Sequence, residues 1–314
     1  MNRFLLPVFF FACVFCISFT PQYEPEIFPD YTSGRTNPED VLHGNVKSVV
    51  TREFSASGTA ANIIKGEPQD IFRVSGRTDY NGNNLPLLSA PADPKEAKCT
   101  RTVFTYDAKN RPARRVMYSG CRKGETSDYH YNASGRLEKI TCFEGDDTLK
   151  PVYTISFSYT SSGQLAEEKK NDVVTASYTY GQKNNVVSKS IFKNGKLSGS
   201  ETYAYNDSGQ VTTRTAYDSW KTVTGTWTYT RDAKGDMIRD TFVAGGAKND
   251  TTVNTRTFTY NSSGQLVEEE DRSTADKSVF TMKFTYDAQG NCTRKVFFSD
   301  GKPQTIIERK IEYN

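Results

Sequence analysis

One short element recurs along most of this chain and limits what it can fold into. The copy Phe258-Thr259-Tyr260-Asn261-Ser262-Ser263-Gly264-Gln265-Leu266 shows its form: an aromatic-x-Tyr, a turn-forming polar residue, two small or polar residues, Gly, a polar residue and an aliphatic one. The anchor tyrosines are Tyr106, Tyr131, Tyr159, Tyr180, Tyr205, Tyr260, Tyr286 and Tyr313, and Arg231 holds the place in one copy. Successive anchors lie 21 to 29 residues apart. Four residues past each anchor stand Asn110, Gly135, Gly163, Asn184, Gly209, Gly235, Gly264 and Gly290. Gly and Asn are the residues that best tolerate a left-handed backbone.

Directly after most anchors comes Asp or Asn, as in Asp107, Asn132 and Asp287. Such a residue opens a type I turn, and the left-handed residue closes it into a bulged hairpin connection. That pairing sets Tyr260 opposite Leu266 and Tyr131 opposite Leu137. The flanks, such as Thr102-Val103-Phe104-Thr105-Tyr106, are β-branched and aromatic with period two, which means strands. An isolated hairpin is marginal in water, so the copies must pair side by side. The prediction is an all-β protein whose consecutive antiparallel β-hairpin repeats form an elongated, twisted or solenoid-like sheet over residues 99–314. Its last strand, Ile306 to Asn314, is expected to be an edge blunted by charge.

The segments Tyr106-Asp107-Ala108-Lys109-Asn110-Arg111 and Tyr286-Asp287-Ala288-Gln289-Gly290-Asn291 resemble the Tyr-Asp-x-x-Gly-Asn element of RHS/YD-repeat proteins. The resemblance covers residues 99–314. It implies a secreted or surface bacterial β-repeat protein, and for some relatives carbohydrate binding, cell-surface contact or repeats wound into a shell. The repeats here are longer and less regular than the family's unit, and eight hairpins are expected to be too few for a large shell. Nothing after Asn314 corresponds to the effector domain of toxin-delivery relatives, so a toxin-carrier role is not expected. The resemblance transfers no catalytic residue.

The N-terminal part reads differently. Arg3 followed by an uncharged, mostly apolar run from Phe4 to Phe19 marks residues 1–19 as a signal peptide, with an uncleaved anchor as the alternative. Phe10-Phe11-Ala12-Cys13 loosely matches a lipoprotein signal, so Cys13 is a candidate lipidation site. These features place the protein outside the cytoplasm: extracellular, periplasmic or on the cell surface. Residues 20–42, with Pro21, Pro25, Pro29 and Pro38, read as an extended linker. Residues 43–98 read as an N-terminal β cap, in which Tyr80-Asn81-Gly82-Asn83-Asn84-Leu85 is a degenerate copy with a shortened turn.

Loss of Arg3 on cleavage takes the net charge from +3 to +2. That balance excludes nucleic acid and an anionic membrane surface as partners suggested by overall charge. Of the cysteines past the signal, Cys99 and Cys121 flank the first hairpin at its open end and are candidates for a disulfide. Cys142 and Cys292 read as buried thiols.

Residues able to do chemistry are sparse. The two histidines, His43 and His130, lie apart, and neither a Cys-x-x-Cys pair nor a phosphate loop is present, so no cofactor or metal is expected. The turn acids Asp107, Asp232 and Asp287 serve turn geometry. Glu167-Glu168 and Glu268-Glu269-Glu270-Asp271 keep open a carboxylate-dependent glycan hydrolase, which needs two carboxyls across a cleft. A lipid-facing barrel is rejected, because Gln164-Leu165-Ala166-Glu167-Glu168-Lys169-Lys170 puts charge on both faces. The expected function is a non-catalytic repeat protein presenting a sheet surface to a glycan or protein partner, or serving as a scaffold. Trp220 is the candidate ligand contact, and oligomeric state is left open.

Overall fold

The computed structural model describes residues 41–314 apart from 72, 73, 92, 148 and 246–251. The signal and Cys13 lie outside the described residues, as does nearly all of the linker. The described chain opens with β1 (Val46–Thr59), β2 (Asn62–Gln69), β3 (Gly76–Tyr80), β4 (Pro86–Ala90) and a short helix, α1 (Pro94–Cys99). Anchor-turn hairpins follow: β5 (Arg101–Tyr106) with β6 (Pro112–Ser119), β7 (Arg122–Tyr131) with β8 (Leu137–Glu144), and β9 (Tyr153–Tyr159) with β10 (Leu165–Lys170). Next are β11 (Val173–Tyr180) with β12 (Val186–Lys193), β13 (Lys196–Tyr205) with β14 (Val211–Asp218), and β15 (Val223–Arg231) with β16 (Met237–Ala244). The last are β17 (Val253–Tyr260) with β18 (Leu266–Ser273), β19 (Val279–Tyr286) with β20 (Cys292–Ser299), and β21 (Lys302–Tyr313).

The turn chemistry acts as its residues predict. Asn110, Gly135, Gly163, Asn184, Gly209, Gly235, Gly264 and Gly290 all have φ between 59° and 92°. Asp107 Oδ1 accepts from the amides of Lys109 (2.8 Å) and Arg111 (2.9 Å), and Asn261 does the same for Ser263 and Gln265. Tyr260 pairs with Leu266 and Tyr131 with Leu137, and the register slips by one residue just beyond. A side chain at Gly163 would collide with Arg136, which reaches over from the preceding turn. That guanidinium is the far end of a flexible side chain and can move aside, so the positive φ of 86° is what favours glycine there. The copy at Tyr80 is not shortened: Tyr80 pairs with Pro86, and Asn84 takes φ 55° in the fourth position. Gly82 only resembled the turn glycine in the sequence.

Apart from Tyr313, each anchor tyrosine's hydroxyl fastens its hairpin to the one before. It donates to the main-chain carbonyl six residues past the preceding anchor: Tyr131 to Pro112 (2.9 Å), Tyr205 to Val186 (2.7 Å), Tyr260 to Met237 (2.9 Å), Tyr286 to Leu266 (2.6 Å). The residues giving those carbonyls are largely buried, with Val186 at 0% exposure, and they form the core with the aromatics two before each anchor. One face of the sheet thus carries an aromatic stripe, and the other carries mainly Thr, Ser and charged residues.

The sheet is not an open strip. β1 pairs antiparallel with β21 from Val46 to Ser55 and with β3 from Ser48 to Thr51, closing a barrel of 20 strands, and β2 continues along the rest of β1. The expected elongated or solenoid-like sheet and the unpaired last strand are both corrected by this pairing. Glu308, Lys310 and Glu312 all lie on the polar face, so they leave the backbone edge of β21 available to β1. Ile306, fully buried, shares a cluster with Val296 and Phe298 to which Phe54 and Ile63 add. Three strands of segment 43–98, β1, β3 and β4, take part in the ring.

Side chains at the seam repeat the fastening in other forms. Arg309 Nη1 donates to the Cys292 carbonyl (2.9 Å), where the repeat pattern calls for a tyrosine hydroxyl. Asn291, fully buried, accepts from the His43 amide (2.7 Å) and donates to the His43 carbonyl (2.9 Å). Asn84 Oδ1 accepts from the Val46 amide (3.0 Å), and its Nδ2 donates to the Gly44 carbonyl (2.8 Å).

Tyr260→Phe removes one such fastening and is expected to lower stability by about 1 kcal/mol in urea unfolding. Thr259→Val, on the exposed polar face, is expected to change it by less than about 0.5 kcal/mol.

Candidate functional site

The hairpin register creates a belt that no single repeat reveals. Opposite each aromatic two before an anchor stands the residue nine past it: Phe104 with Arg115, Phe157 with Glu168, Tyr178 with Lys189, Tyr203 with Arg214, Tyr229 with Asp240, Phe258 with Glu269, Phe284 with Lys295. Ile140 is the exception. Rings and charges therefore share the aromatic face, and cations settle on rings: Arg214 lies 4.3 Å from the Trp227 ring centre and Lys295 5.7 Å from that of Phe284. Counting nine residues on from each anchor in the sequence reveals this belt, but motif spacing alone does not.

Charge is most concentrated around Arg256. Its guanidinium donates to both oxygens of Asp240 (3.0 and 2.6 Å) on one neighbouring strand and lies 3.8 Å from Glu269 on the other. Asp240 and Glu269 are each 3% exposed. Burial holds the Asp271 carboxyl above its usual range; Arg256 opposes that shift, and Asp240 and Glu269 add to it. A second cluster joins Glu201 to Arg214 and the Tyr203 hydroxyl. Burial alone would raise the Glu201 pKa, but the hydrogen bonds from Arg214 and Tyr203 outweigh it and hold the group low. Burial pushes the Tyr229 hydroxyl up to about 12. A third cluster sets Glu125 between Arg115 (2.8 Å) and the Tyr153 hydroxyl (2.7 Å).

The residues singled out from sequence are scattered relative to this belt. Glu168 and Glu269 fall on it, whereas Glu167, Glu268 and Glu270 face the polar side, so the acidic runs split between faces. His130 is exposed, with Nε2 3.1 Å from Thr141 Oγ1. His43 is held at the seam. Among the described residues, no group of three or more His, Cys, Asp or Glu is placed to hold a metal ion. Cys99 and Cys121 are brought together as a pair where α1 and the β6–β7 turn meet, and Cys142 and Cys292 are buried thiols.

The two rims differ. One holds the anchor turns. The other holds the remaining connectors, among them the two-residue turns Gly120-Cys121, Asn171-Asp172, Asn194-Gly195 and Asp300-Gly301, with positive φ at both positions. Trp220 stands on this second rim, 85% exposed. Its connector copies the anchor turn out of phase: Asp218 Oδ1 accepts from the Trp220 and Thr222 amides (both 2.8 Å), and Lys221 takes φ 64°. A lysine in the fourth position hid this copy in the sequence. On the first rim, a groove of about 410 Å³ lies between turns 206–210 and 232–235, at the one copy anchored by Arg231.

The Teneurin YD-shell family model matches residues 148–299, just under half of the chain. Among curated proteins no match is found. The chain is similar to the Photorhabdus luminescens Tc holotoxin pore (13% identity, TM-score 0.33), over 75% of this chain and 12% of that one. It is also similar to porin-like proteins from Bacteroides uniformis (10% identity, TM-score 0.37, over 86% of this chain and 99% of that one) and Bacteroides vulgatus (11% identity, TM-score 0.28, 86% and 98%). At such scores the likeness carries no argument about role. The family match over residues 148–299 and the turns repeated through the barrel agree with the resemblance to YD-repeat proteins.

Proposed function

We propose that this protein is an exported, non-catalytic shell: a closed scaffold that meets a glycan, protein or other partner through its exposed rim, with Trp220 as a contact. The ring closure carries this reading, because it turns the repeat into a closed wall with two distinct ends. Export rests on the apolar N-terminal run. The wall stands in water. Arg256, Asp240 and Glu269 lie on one face and Glu268, Glu270 and Arg272 on the other, while a lipid-facing barrel needs an apolar band about 25 Å tall on its outside. Purified chain is expected to leave glycans uncleaved while capturing a partner through the Trp220 rim. Glycan cleavage by the purified chain would defeat this reading.

The Arg256 cluster is where the alternative, a carboxylate-dependent glycan hydrolase, would act, since Asp271 is the carboxyl whose pKa is raised there. With a folded pKa above the unfolded value near 3.8, the native state holds this proton longer, and stability falls as pH rises through that window. Asp271→Asn is therefore expected to be more stable than the parent at neutral pH, with the difference vanishing in acid. The shell reading predicts this gain with no change in any activity, and the hydrolase reading predicts loss of glycan cleavage.

Export also exposes the Cys99–Cys121 pair to oxidation. Peptide mapping of the chain purified without reductant is expected to recover them linked, and Cys121→Ser is expected to cost roughly 2–4 kcal/mol. Recovery of both as free thiols would count against an oxidising location.

A further inference from the structure

One stretch of the polar face is apolar and partly covered. Val296 and Phe298, each 3% exposed, lie on it with the fully buried Ile306, and Phe54, Ala56 and Ile63 pack against them. Phe54 and Ala56 belong to β1. Ile63 is on β2, whose one partner among the described strands is β1. The β1–β2 hairpin therefore leans over this face instead of extending the ring. Beneath it runs a groove of about 440 Å³, bounded by Ile63, Val267, Val296 and Phe298 and carrying Lys283 and Arg294. Arg294 lies toward the anchor turn and Phe298 four residues on, about 13 Å along β20. A groove of that size, apolar on several sides with a few polar groups at one end, has the form of a small-molecule site.

The charges around this groove are unequally matched. Glu268 is held by Lys283 (3.1 Å). Glu308 stands in β21 between Arg294 of β20 and Arg52 of β1, yet its carboxylate goes to Lys65 of the hairpin (2.5 Å). Among the described residues, the side chains of Arg294 and Arg52 have no hydrogen bond or ion pair. Acids farther along this face are occupied: Glu270 by Arg272 (2.6 Å), and Glu312 by Lys310 (3.8 Å) and the Ser48 hydroxyl (3.1 Å). The exposed Glu67 of β2 has no cation. With it counted, Arg52, Lys65, Lys283 and Arg294 still outnumber Glu67, Glu268 and Glu308. Arg294 is half-buried, so a guanidinium lacking an anion sits beside apolar walls with part of its desolvation cost unmet.

We infer that this groove binds a small amphipathic carboxylate, its head on Arg294 and its alkyl chain along Val296 and Phe298 beneath Ile63. The planar guanidinium fork meets a carboxylate through two parallel hydrogen bonds. The apolar end takes the chain out of water, and each buried methylene adds to affinity. A free phosphate or a sugar would leave the apolar end unused, and an uncharged chain would leave Arg294 unmatched. The span from Arg294 to Phe298 selects a chain of medium length. The site lies on the wall and not on either rim, so it stands independently of what the rims of the shell meet.

Calorimetric titration of the full chain with octanoate at neutral pH, where the carboxylate is ionised, tests this. One octanoate per chain is expected. Acetate, which keeps the head, and octanol, which keeps the chain, are each expected to bind at least about tenfold more weakly. Arg294→Gln is expected to weaken octanoate about tenfold and to leave octanol unchanged. Ile63→Ser, on a strand outside the ring, is expected to weaken octanoate about tenfold without lowering the unfolding temperature of the barrel. Its neighbour Ile64, 54% exposed and not part of the groove, serves as control, and Ile64→Ser is expected to change nothing. Absence of octanoate binding, equal affinity for octanol, or full affinity in Ile63→Ser or in folded Arg294→Gln overturns the proposal. A loss in Ile64→Ser equal to that in Ile63→Ser overturns it too, since it reads adsorption to the hairpin.

Discussion

The pairing of β1 with β21 is the contact on which the rest of the barrel depends. Without it, hairpins fastened one to the next leave a row of unmet amides and carbonyls along the last strand and another along β3. Such edges recruit other chains. Val46 to Ser55 meets Tyr313 to Thr305 along nearly the whole of the last strand. Around that ladder, substitutes stand in for the repeated fastening: Arg309 for a tyrosine hydroxyl, and Asn291 and Asn84 for neighbouring turns. Closure is thus built into side chains that the repeat alone would not require.

A closed ring gives its parts different duties. The aromatic face binds the hairpins together, and the charges nine residues past each anchor are accommodated there because rings and opposite charges surround them. Buried ion pairs of this kind add little net stability, but breaking one leaves an uncompensated charge. Arg256, shared between Asp240 and Glu269, links β16, β17 and β18 through side chains as well as main chain. The other face carries mainly Thr, Ser and charged side chains, with an apolar patch at Val296, Phe298 and Ile306.

The turns were legible in the sequence because their requirement is local: an Asp or Asn acceptor, then a residue that accepts positive φ. The pairings Tyr260–Leu266 and Tyr131–Leu137 follow from that. Closure was not legible, since it depends on contacts some 250 residues apart, such as His43 with Asn291, and on a β1 that runs past the recognisable stretch Val46–Arg52 to Thr59. The charge on β21 misled because period two puts Glu308, Lys310 and Glu312 on a face, not on the edge. The Trp220 turn was hidden by Lys221, a residue seldom found at positive φ, and the charged belt by a spacing that only the hairpin register gives meaning.

Amide hydrogen exchange resolved to single strands tests the closed ring most directly. If β1 and β21 seal the barrel, the amides of Val49–Ser55 and Thr305–Ile311 exchange as slowly as those of mid-sheet strands such as β17. Fast, edge-like exchange in both segments while β17 stays protected would contradict closure and restore an open sheet.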